Sequence, residues 1–176
     1  MLKIETAQQK DYELVLSILT ETAEWLAAKG SSQWSDLLSG KDVHNTQRAI
    51  ERNEVYLVKQ DQQVMGMFVL WDEQSAWDKT LWGIDESHHT YYLHRITLTK
   101  NAHGKNLGKS LMEAALEISR IDQKEKVRLD CMADNLYLNT FYKKSGFKLL
   151  EVNKKVPVVV LASDHLIKNL QRFDHA

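Results

Sequence analysis

"LHRITLTKNAHGKNLGKSLMEAALEI", residues 93–118, is the stretch whose reading decides the fold. Its first part, preceded by "YY" at 91–92, is rich in β-branched and aromatic residues and reads as a strand. Its last part puts Leu107, Leu111, Ala114, Ala115 and Ile118 on one face of a helix that begins near Leu107. Between them lie Gly104 and Gly108. A glycine-bearing turn from a strand into a helix presents backbone N–H groups at the positive end of the helix dipole, and both favour a bound phosphate. An anion site is therefore expected here, whichever ligand it serves.

One phosphate ligand fits poorly. Gly104, Gly108, Lys109 and Ser110 fall one residue short of the nucleotide-binding pattern G-x-x-x-x-G-K-[ST]. His103 stands where the first glycine is needed, and the shortened loop loses its reach around a β-phosphate. Such a loop also usually follows the first strand of its fold, whereas three or four strands precede this one. "VRLDC" at 127–131 matches a magnesium-binding strand only by a common pattern. A P-loop NTPase is the least favoured reading.

Working outward, "LKIETA" alternates as a first strand, and "DYELVLSILTETAEWLAAKG" follows as a helix. Leu14, Ile18, Ala23, Trp25 and Leu26 give that helix its apolar spacing, and Gly30 is its stop. "SSQWSDLLSGKD" reads as a loop, and "VHNTQRAIERN" as a short helix. "EVYLVKQDQQVMGMFVLW" is a hairpin about "KQDQQ", while "DEQSAWDKTLWGIDESHHT" has no clear period. Beyond the central stretch, "KVRLDCM" alternates Val127, Leu129 and Cys131 against Arg128, Asp130 and Met132 as a strand. "DNLYLNTFYKKSG" is a helix capped by Asp134 or Asn135 and closed by Gly146. "FKLLEV" and "VPVVVLA" are closing strands, and "DHLIKNLQRF" is a terminal helix. The sum is a mixed α/β domain.

Bulk composition narrows the class. The chain has 176 residues, 23 basic and 24 acidic, for a formal net charge of −1. That length suits one domain, residues 1–176, and that balance points to neither nucleic acid nor an anionic membrane. The single cysteine, Cys131, permits no intrachain disulfide, in keeping with a reducing cytoplasm. The N-terminus lacks a secretory signal pattern, and no apolar run approaches the ~18 residues of a membrane span. A soluble cytoplasmic protein, monomeric or homodimeric, is expected, with "VPVVVLA" either a central strand or a dimer seam.

"LHRITLTKNAHGKNLGKSLMEAALEI", "VRLDCMADN" and "NTFYKKSGF" together resemble successive core motifs of the GNAT superfamily of N-acetyltransferases. The family pattern runs from a strand through a [QR]-x-x-G-x-[GA] loop into a helix. It continues through a strand, an asparagine, a tyrosine seven residues on, and a Gly-Phe pair, here Asn135, Tyr142, Gly146 and Phe147. The resemblance covers residues 55–150 well and the first 50 loosely. It implies a central, mostly antiparallel sheet flanked by helices, acetyl-CoA as the acyl donor, and a small-molecule or peptide amine as the acceptor. By the same resemblance His103, Gly104, Lys105, Asn106, Leu107, Gly108, Lys109 and Ser110 hold the pyrophosphate of coenzyme A. Ile96, Thr97 and Leu98 bind the pantetheine arm through their backbone, with the Leu98 N–H as oxyanion donor, and Asn135 bonds the arm. His103 replaces the family's Gln or Arg, and Asn106 its first motif glycine; asparagine tolerates the left-handed conformation better than most residues. A non-catalytic acyl-CoA-binding module is the alternative from a different class.

The chemistry needs an acid for the departing sulfur and a base for the amine. A tyrosine is protonated at neutral pH, with an ordinary pKa of ~10, so Tyr142 suits the first task, its alternative being a core aromatic. His94 suits the second, since histidine ordinarily titrates near ~6.5. It precedes Leu98 by four residues, which puts both on one strand face, and a partly buried structural histidine is the alternative. Tyr92 shares that face. Asp72 or Glu73 can hold an ammonium but read better as a solvated turn. Trp34, Trp77 and Trp82 are candidates for the acceptor pocket, whereas Trp71 at a strand end reads as core. Cys131, on the apolar face, reads as inert. His88, His89 and His94 lack the spacing of a known metal set, so no metal is expected.

Overall fold

The computed structural model describes residues 1–153 and 158–164. The elements in chain order are β1 (Leu2–Thr6), α1 (Tyr12–Ala28), α2 (Ser35–Leu38), α3 (Thr46–Glu51), β2 (Val55–Gln60) and β3 (Gln63–Trp71). They continue as α4 (Ala76–Trp82), β4 (Thr90–Leu98), α5 (Gly108–Ile121), β5 (Lys126–Met132), α6 (Leu136–Lys144), β6 (Lys148–Val152) and β7 (Val158–Asp164). The seven strands are ordered β1-β2-β3-β4-β5-β7-β6. Recorded pairings are antiparallel except for β4 with β5, as a mostly antiparallel mixed sheet requires. The residues group into two compact units, Met1–Val69 with Arg95–Leu111, and Leu70–His94 with the chain from Met112 onward.

In the first unit, β2 and β3 form a hairpin through Asp61 and Gln62, both in the left-handed region at φ 50° and 67°. Two such residues make the turn whose twist matches that of paired strands. Helix α1 buries Val15, Ile18, Leu19 and Ala23, a stripe at i, i+3, i+4 and i+8. This corrects the expected face. Leu14 lies one step round the helix and is exposed, as is Trp25, whose ring instead meets the Lys29 ammonium at 4.1 Å and the edge of His103 at 5.5 Å. The expected loop at 31–42 contains α2.

In the second unit, β5 alternates as expected, with Val127, Leu129 and Cys131 buried. β7 lies between β5 and β6 with Val158, Val159, Val160 and Leu161 buried, so "VPVVVLA" supplies an inner strand. The expected terminal helix, beyond Asp164, lies outside the described residues, and so does Pro157, within 154–157. The aperiodic segment after β3 holds an unexpected helix, α4. Ser75 and Asp78 start it by a reciprocal cap: the Ser75 hydroxyl accepts from the Asp78 N–H at 3.1 Å, and the Asp78 carboxylate accepts from the Ser75 N–H at 3.0 Å. Asn135 caps α6, its Oδ1 accepting from the Leu138 N–H at 3.0 Å.

β4 breaks its own pleat. Arg95 adopts φ 53°, a left-handed residue inside a strand, as in a bulge. The even alternation behind the expectation that His94 and Leu98 share a face therefore does not run through this position.

Candidate functional site

The first unit holds the strand end and the loop. Thr97 Oγ1 lies 2.9 Å from Thr22 Oγ1 on α1, and the Thr99 N–H donates to the Met65 carbonyl at 2.9 Å. His103 turns back over the strand, its Nε2 3.3 Å from the Leu98 carbonyl oxygen. The chain then turns through Gly104 at φ 78° and Asn106 at φ 55° before α5 begins at Gly108. Gly104, Lys105 and Asn106 are exposed, and a side chain at Gly104 would meet nothing within 4 Å. Left-handed residues immediately ahead of a helix turn successive amides into a concave, anion-binding surface. The leading amides of α5, ahead of the Leu111 N–H that donates to the Leu107 carbonyl at 3.0 Å, extend that surface. This backbone fits a pyrophosphate. Asn106 takes a left-handed conformation, which glycine adopts freely and asparagine tolerates, so the chain turns here despite the substitution.

The neighbouring Arg95 is buried, donates from Nε to His44 Nδ1 at 3.2 Å, and lies 5.1 Å from the centre of the Trp34 ring. Trp34 thus braces this arginine, whose own pKa burial lowers.

The second unit holds the titrating groups. β4 and β5 pair through Thr90↔Lys126, Tyr91↔Val127 and Tyr92↔Arg128. Two residues beyond the last of these pairs stand His94 on β4 and Asp130 on β5. His94 Nε2 lies 3.1 Å from both oxygens of Asp78, which is 1% exposed. Burial alone would push the Asp78 carboxyl up, but the hydrogen bond and charge of His94 and two bonds from Ser75 together bring it below its ordinary value. An ionised carboxylate only accepts, so Nε2 carries the proton of this bond. The Trp71 ring lies 4.5 Å from the imidazole.

Asp130 completes the group: ligand-type atoms of Asp78, His94 and Asp130 all lie within 4.8 Å of one another. Trp77 donates its indole N–H to Asp130 Oδ2 at 3.2 Å. Burial raises the Asp130 carboxyl, helped by the nearby Asp78 and opposed by His94 and Trp77. Neither aspartate stands out in the sequence. The Ser75-x-x-Asp78 cap was the legible signal for one, and the alternation of β5 for the other.

The remaining predicted residues fall as follows. Tyr142 is buried, with Phe141 and Phe147 edge-on at 5.5 and 6.1 Å. Burial, then Cys131 and Asp130, raises its hydroxyl pKa, so the phenol keeps its proton. The Tyr92 hydroxyl accepts from Arg128 at 2.9 Å and is raised mainly by burial. Trp82 stacks under the Arg128 guanidinium at 4.7 Å. Asp72 is held by Lys124 at 2.6 Å and by His88 at 3.3 Å, a structural use. His89 pairs with Glu125 at 3.1 Å. Cys131 is 2% exposed, and burial pushes its thiol up to about 11, as an inert cysteine requires. Asn139, unremarked in the sequence, is buried and ties the β5–α6 connection through the Met132, Ala133 and Asn135 carbonyls. Among the described residues no helix is long and apolar enough to cross a membrane.

Comparison with known proteins shows the family and the fold. Residues 19–147 match the model of the Acetyltransferase (GNAT) family. The chain is 36% identical over 144 residues to YesJ of Bacillus subtilis, described as an uncharacterised N-acetyltransferase, covering 82% of this chain and 80% of that one. A GNAT-family acetyltransferase structure from Listeria monocytogenes superposes with a TM-score of 0.79 at 30% identity, covering 93% and 94% of the two chains. The PaiA N-acetyltransferase of Thermoplasma acidophilum, solved with coenzyme A, shares the fold at a TM-score of 0.72 and 18% identity, covering 94% and 99%.

Proposed function

The chain belongs to the acetyltransferase (GNAT) family, whose acyl donor is acetyl-CoA, and on that premise we propose that it acetylates a primary amine of a small molecule or a peptide. The observation that carries the catalytic reading is the His94–Asp78 pair, a histidine held at 3.1 Å by a buried carboxylate. That pairing fixes the ring tautomer and stabilises the imidazolium that forms when Nδ1 takes a proton from the acceptor. Tyr142 is the acid for sulfur, since its burial favours the protonated phenol. The loop His103–Ser110 binds the pyrophosphate through its amides. The backbone of Ile96–Leu98 orients the arm, with the Leu98 N–H toward the thioester oxygen, and Asn135 contributes its remaining amide hydrogens. Acetyl-CoA supplies an activated carbonyl, whose carbon–sulfur bond breaks as the carbon–nitrogen bond forms. The family match includes residues of both units, which supports reading 1–176 as one acetyltransferase domain.

The test is coenzyme A release with a panel of primary amines, measured for the parent, Tyr142→Phe and His94→Gln beside acetyl-CoA titrations. General acid or base catalysis is worth about 10²–10⁴-fold, and the lower end is expected for a thiolate leaving group. Acetyl-CoA affinity should stay near that of the parent in both variants, because each lost interaction belongs to the transition state. Parent-like turnover in Tyr142→Phe removes the acid. A parent protein that binds acetyl-CoA and acetylates no amine makes the chain an acyl-CoA-binding module.

A further inference from the structure

Arg128 uses one end of its guanidinium and leaves the other unspent. Its Nη1 donates to Asp85 at 3.1 Å and to the Tyr92 hydroxyl at 2.9 Å. Among the described residues its Nε is buried with no acceptor, and no hydrogen bond takes Nη2. Those two nitrogens form one side of the planar group. Their N–H bonds point the same way, as a fork that fits the two oxygens of a carboxylate. A buried donor without an acceptor costs more than an ordinary hydrogen bond returns, so the fork calls for a partner. Asp85 does not meet that need. Its carboxylate reaches Nη1 alone and takes a second bond from the Ser87 N–H at 3.0 Å. The bonds from Ser87, ahead of the charges of Arg128 and Lys126, hold the Asp85 carboxyl below its ordinary value.

Resting on the acetyl-transfer reading, we infer that the Nε–Nη2 side of Arg128 binds a carboxylate of the acceptor, so that the acceptor is an amine that also carries an acid group, as amino acids do. The placement supports it. Tyr92 and Arg128 are paired across β4 and β5, and His94 and Asp130 stand two residues further along the same strands. A two-residue step is ~6.6 Å and returns to the same face of a strand. The fork and the titrating cluster are thus separated by about the length of one small molecule. Helix α4 supplies a tryptophan to each: the Trp82 ring centre lies 4.7 Å from the Arg128 guanidinium carbon, and the Trp77 indole donates to Asp130 at 3.2 Å. The aromatic neighbours also select the anion. The Trp82 ring over the guanidinium, with that of Tyr92 at 5.8 Å, favours a partner lying in the plane of the fork. A carboxylate is flat and matches that plane, whereas a phosphate carries oxygens out of it. An amide offers one oxygen and no charge.

The experiment uses the full chain with matched probes: phenylalanine beside phenylalanine amide and phenethylamine, γ-aminobutyrate beside butylamine, and phosphoethanolamine. Binding is read by tryptophan fluorescence and turnover by coenzyme A release, for the parent, Arg128→Lys and Arg128→Gln, each checked by its melting curve. The parent should bind at least one acid about tenfold or more tightly than its amide and acid-free partners, the contribution of a hydrogen bond between charged groups. Arg128→Lys keeps the charge and loses the fork, so binding of that acid should weaken by about tenfold to hundredfold while the uncharged partners change by less than about twofold. Arg128→Gln should abolish the preference. A parent that shows no preference for the acid in any set overturns the inference and leaves acetyl transfer standing. This comparison needs no variant and decides the matter even where the substitutions fail to fold. A folded Arg128→Lys or Arg128→Gln that keeps the parent's preference also overturns it. Phosphoethanolamine bound as tightly as the best acid overturns the choice of a carboxylate. Acids bound through Arg128 with no coenzyme A released for any probe keep the site and sink the transfer reading.

Discussion

Replacing Gly66 with alanine should lower stability and weaken acetyl-CoA use in a single step. Gly66 lies on β3, where a Cβ would come 2.7 Å from the Thr97 carbonyl oxygen, 2.8 Å from Leu111 Cδ2 and 3.3 Å from Leu98 Cδ2. Carbon–oxygen contacts of this kind ordinarily lie near ~3.3–3.6 Å and carbon–carbon contacts near ~3.5–4.0 Å. The leucine methyls can rotate away. The Thr97 oxygen belongs to the backbone of β4, so the strand itself must move by roughly 0.6 Å on that comparison. Overpacking of this kind costs about 1–3 kcal/mol, while loss of glycine entropy in the unfolded chain returns about 0.4–1 kcal/mol. The net, about 1–2 kcal/mol, lowers Tm by roughly 2–8 °C for a chain of this size. The displaced residues, Thr97 and Leu98, are those proposed to hold the donor's arm, so KM for acetyl-CoA should rise several-fold. The assay is a melting curve beside acetyl-CoA kinetics, repeated in a Leu111→Val background. Removing the leucine methyl relieves one contact and leaves the carbonyl, so most of the defect should persist. A Gly66→Ala protein with Tm within about 1 °C of the parent and unchanged KM would refute the reasoning, because the expected shift is at least ~2 °C.

Asn106→Gly should tighten coenzyme A binding by up to about fivefold, since a side chain at φ 55° costs up to about 1 kcal/mol that glycine avoids; weaker binding in calorimetry would mean that the asparagine side chain touches the ligand. Cys131 in the native protein should resist iodoacetamide at pH 8, its thiol lying at about 11 and 2% exposed, and should react once denatured; alkylation at the rate of a free cysteine, followed by mass spectrometry, would contradict this burial. Glu5 is held at about 2, against an ordinary 4.5, by hydrogen bonds from Lys3 and Lys59. A depressed carboxyl stabilises the fold above its unfolded pKa and loses that contribution as pH falls through the folded one, so the Tm difference between the parent and Glu5→Gln should shrink from about pH 4.5 to about pH 2. A difference that stays constant across that window removes Glu5 from the acid response.

The parts of the fold that could be read in advance share a physical cause: their periodic burial extends over enough residues to show. β5 needs only seven residues for its alternation, because a period of two repeats three times in that length. α4 is also seven residues, but that is under two helical turns, and no apolar stripe can emerge from it. Its start was nevertheless written in Ser75 and Asp78. Trp25 misled because it sits at helical spacing yet serves a cation and a ring on the protein's surface. The left-handed Arg95 carries no local mark, since no glycine or asparagine announces it.

The loop and the titrating cluster differ in the same way. Residues 103–110 are contiguous, so their pattern survives in the sequence even with His103 and Asn106 substituted. Asp78 reaches His94 across 16 residues, and Trp77 reaches Asp130 across 53. Each aspartate lies in a locally polar context, one in a helix's first turn and one on the polar side of a strand, where solvent exposure is the ordinary expectation. Burial changes their meaning. A capping carboxylate left in water stabilises a helix end and little more. The same carboxylate enclosed against an imidazole fixes which nitrogen holds the proton, and so which nitrogen can take one. The cap places Asp78 in the first turn of α4, and the pairing of β4 with β5 at Tyr92↔Arg128 leads into His94 and Asp130. A shift of one residue in that pairing would turn Asp130 to the face of Cys131 and disperse the cluster.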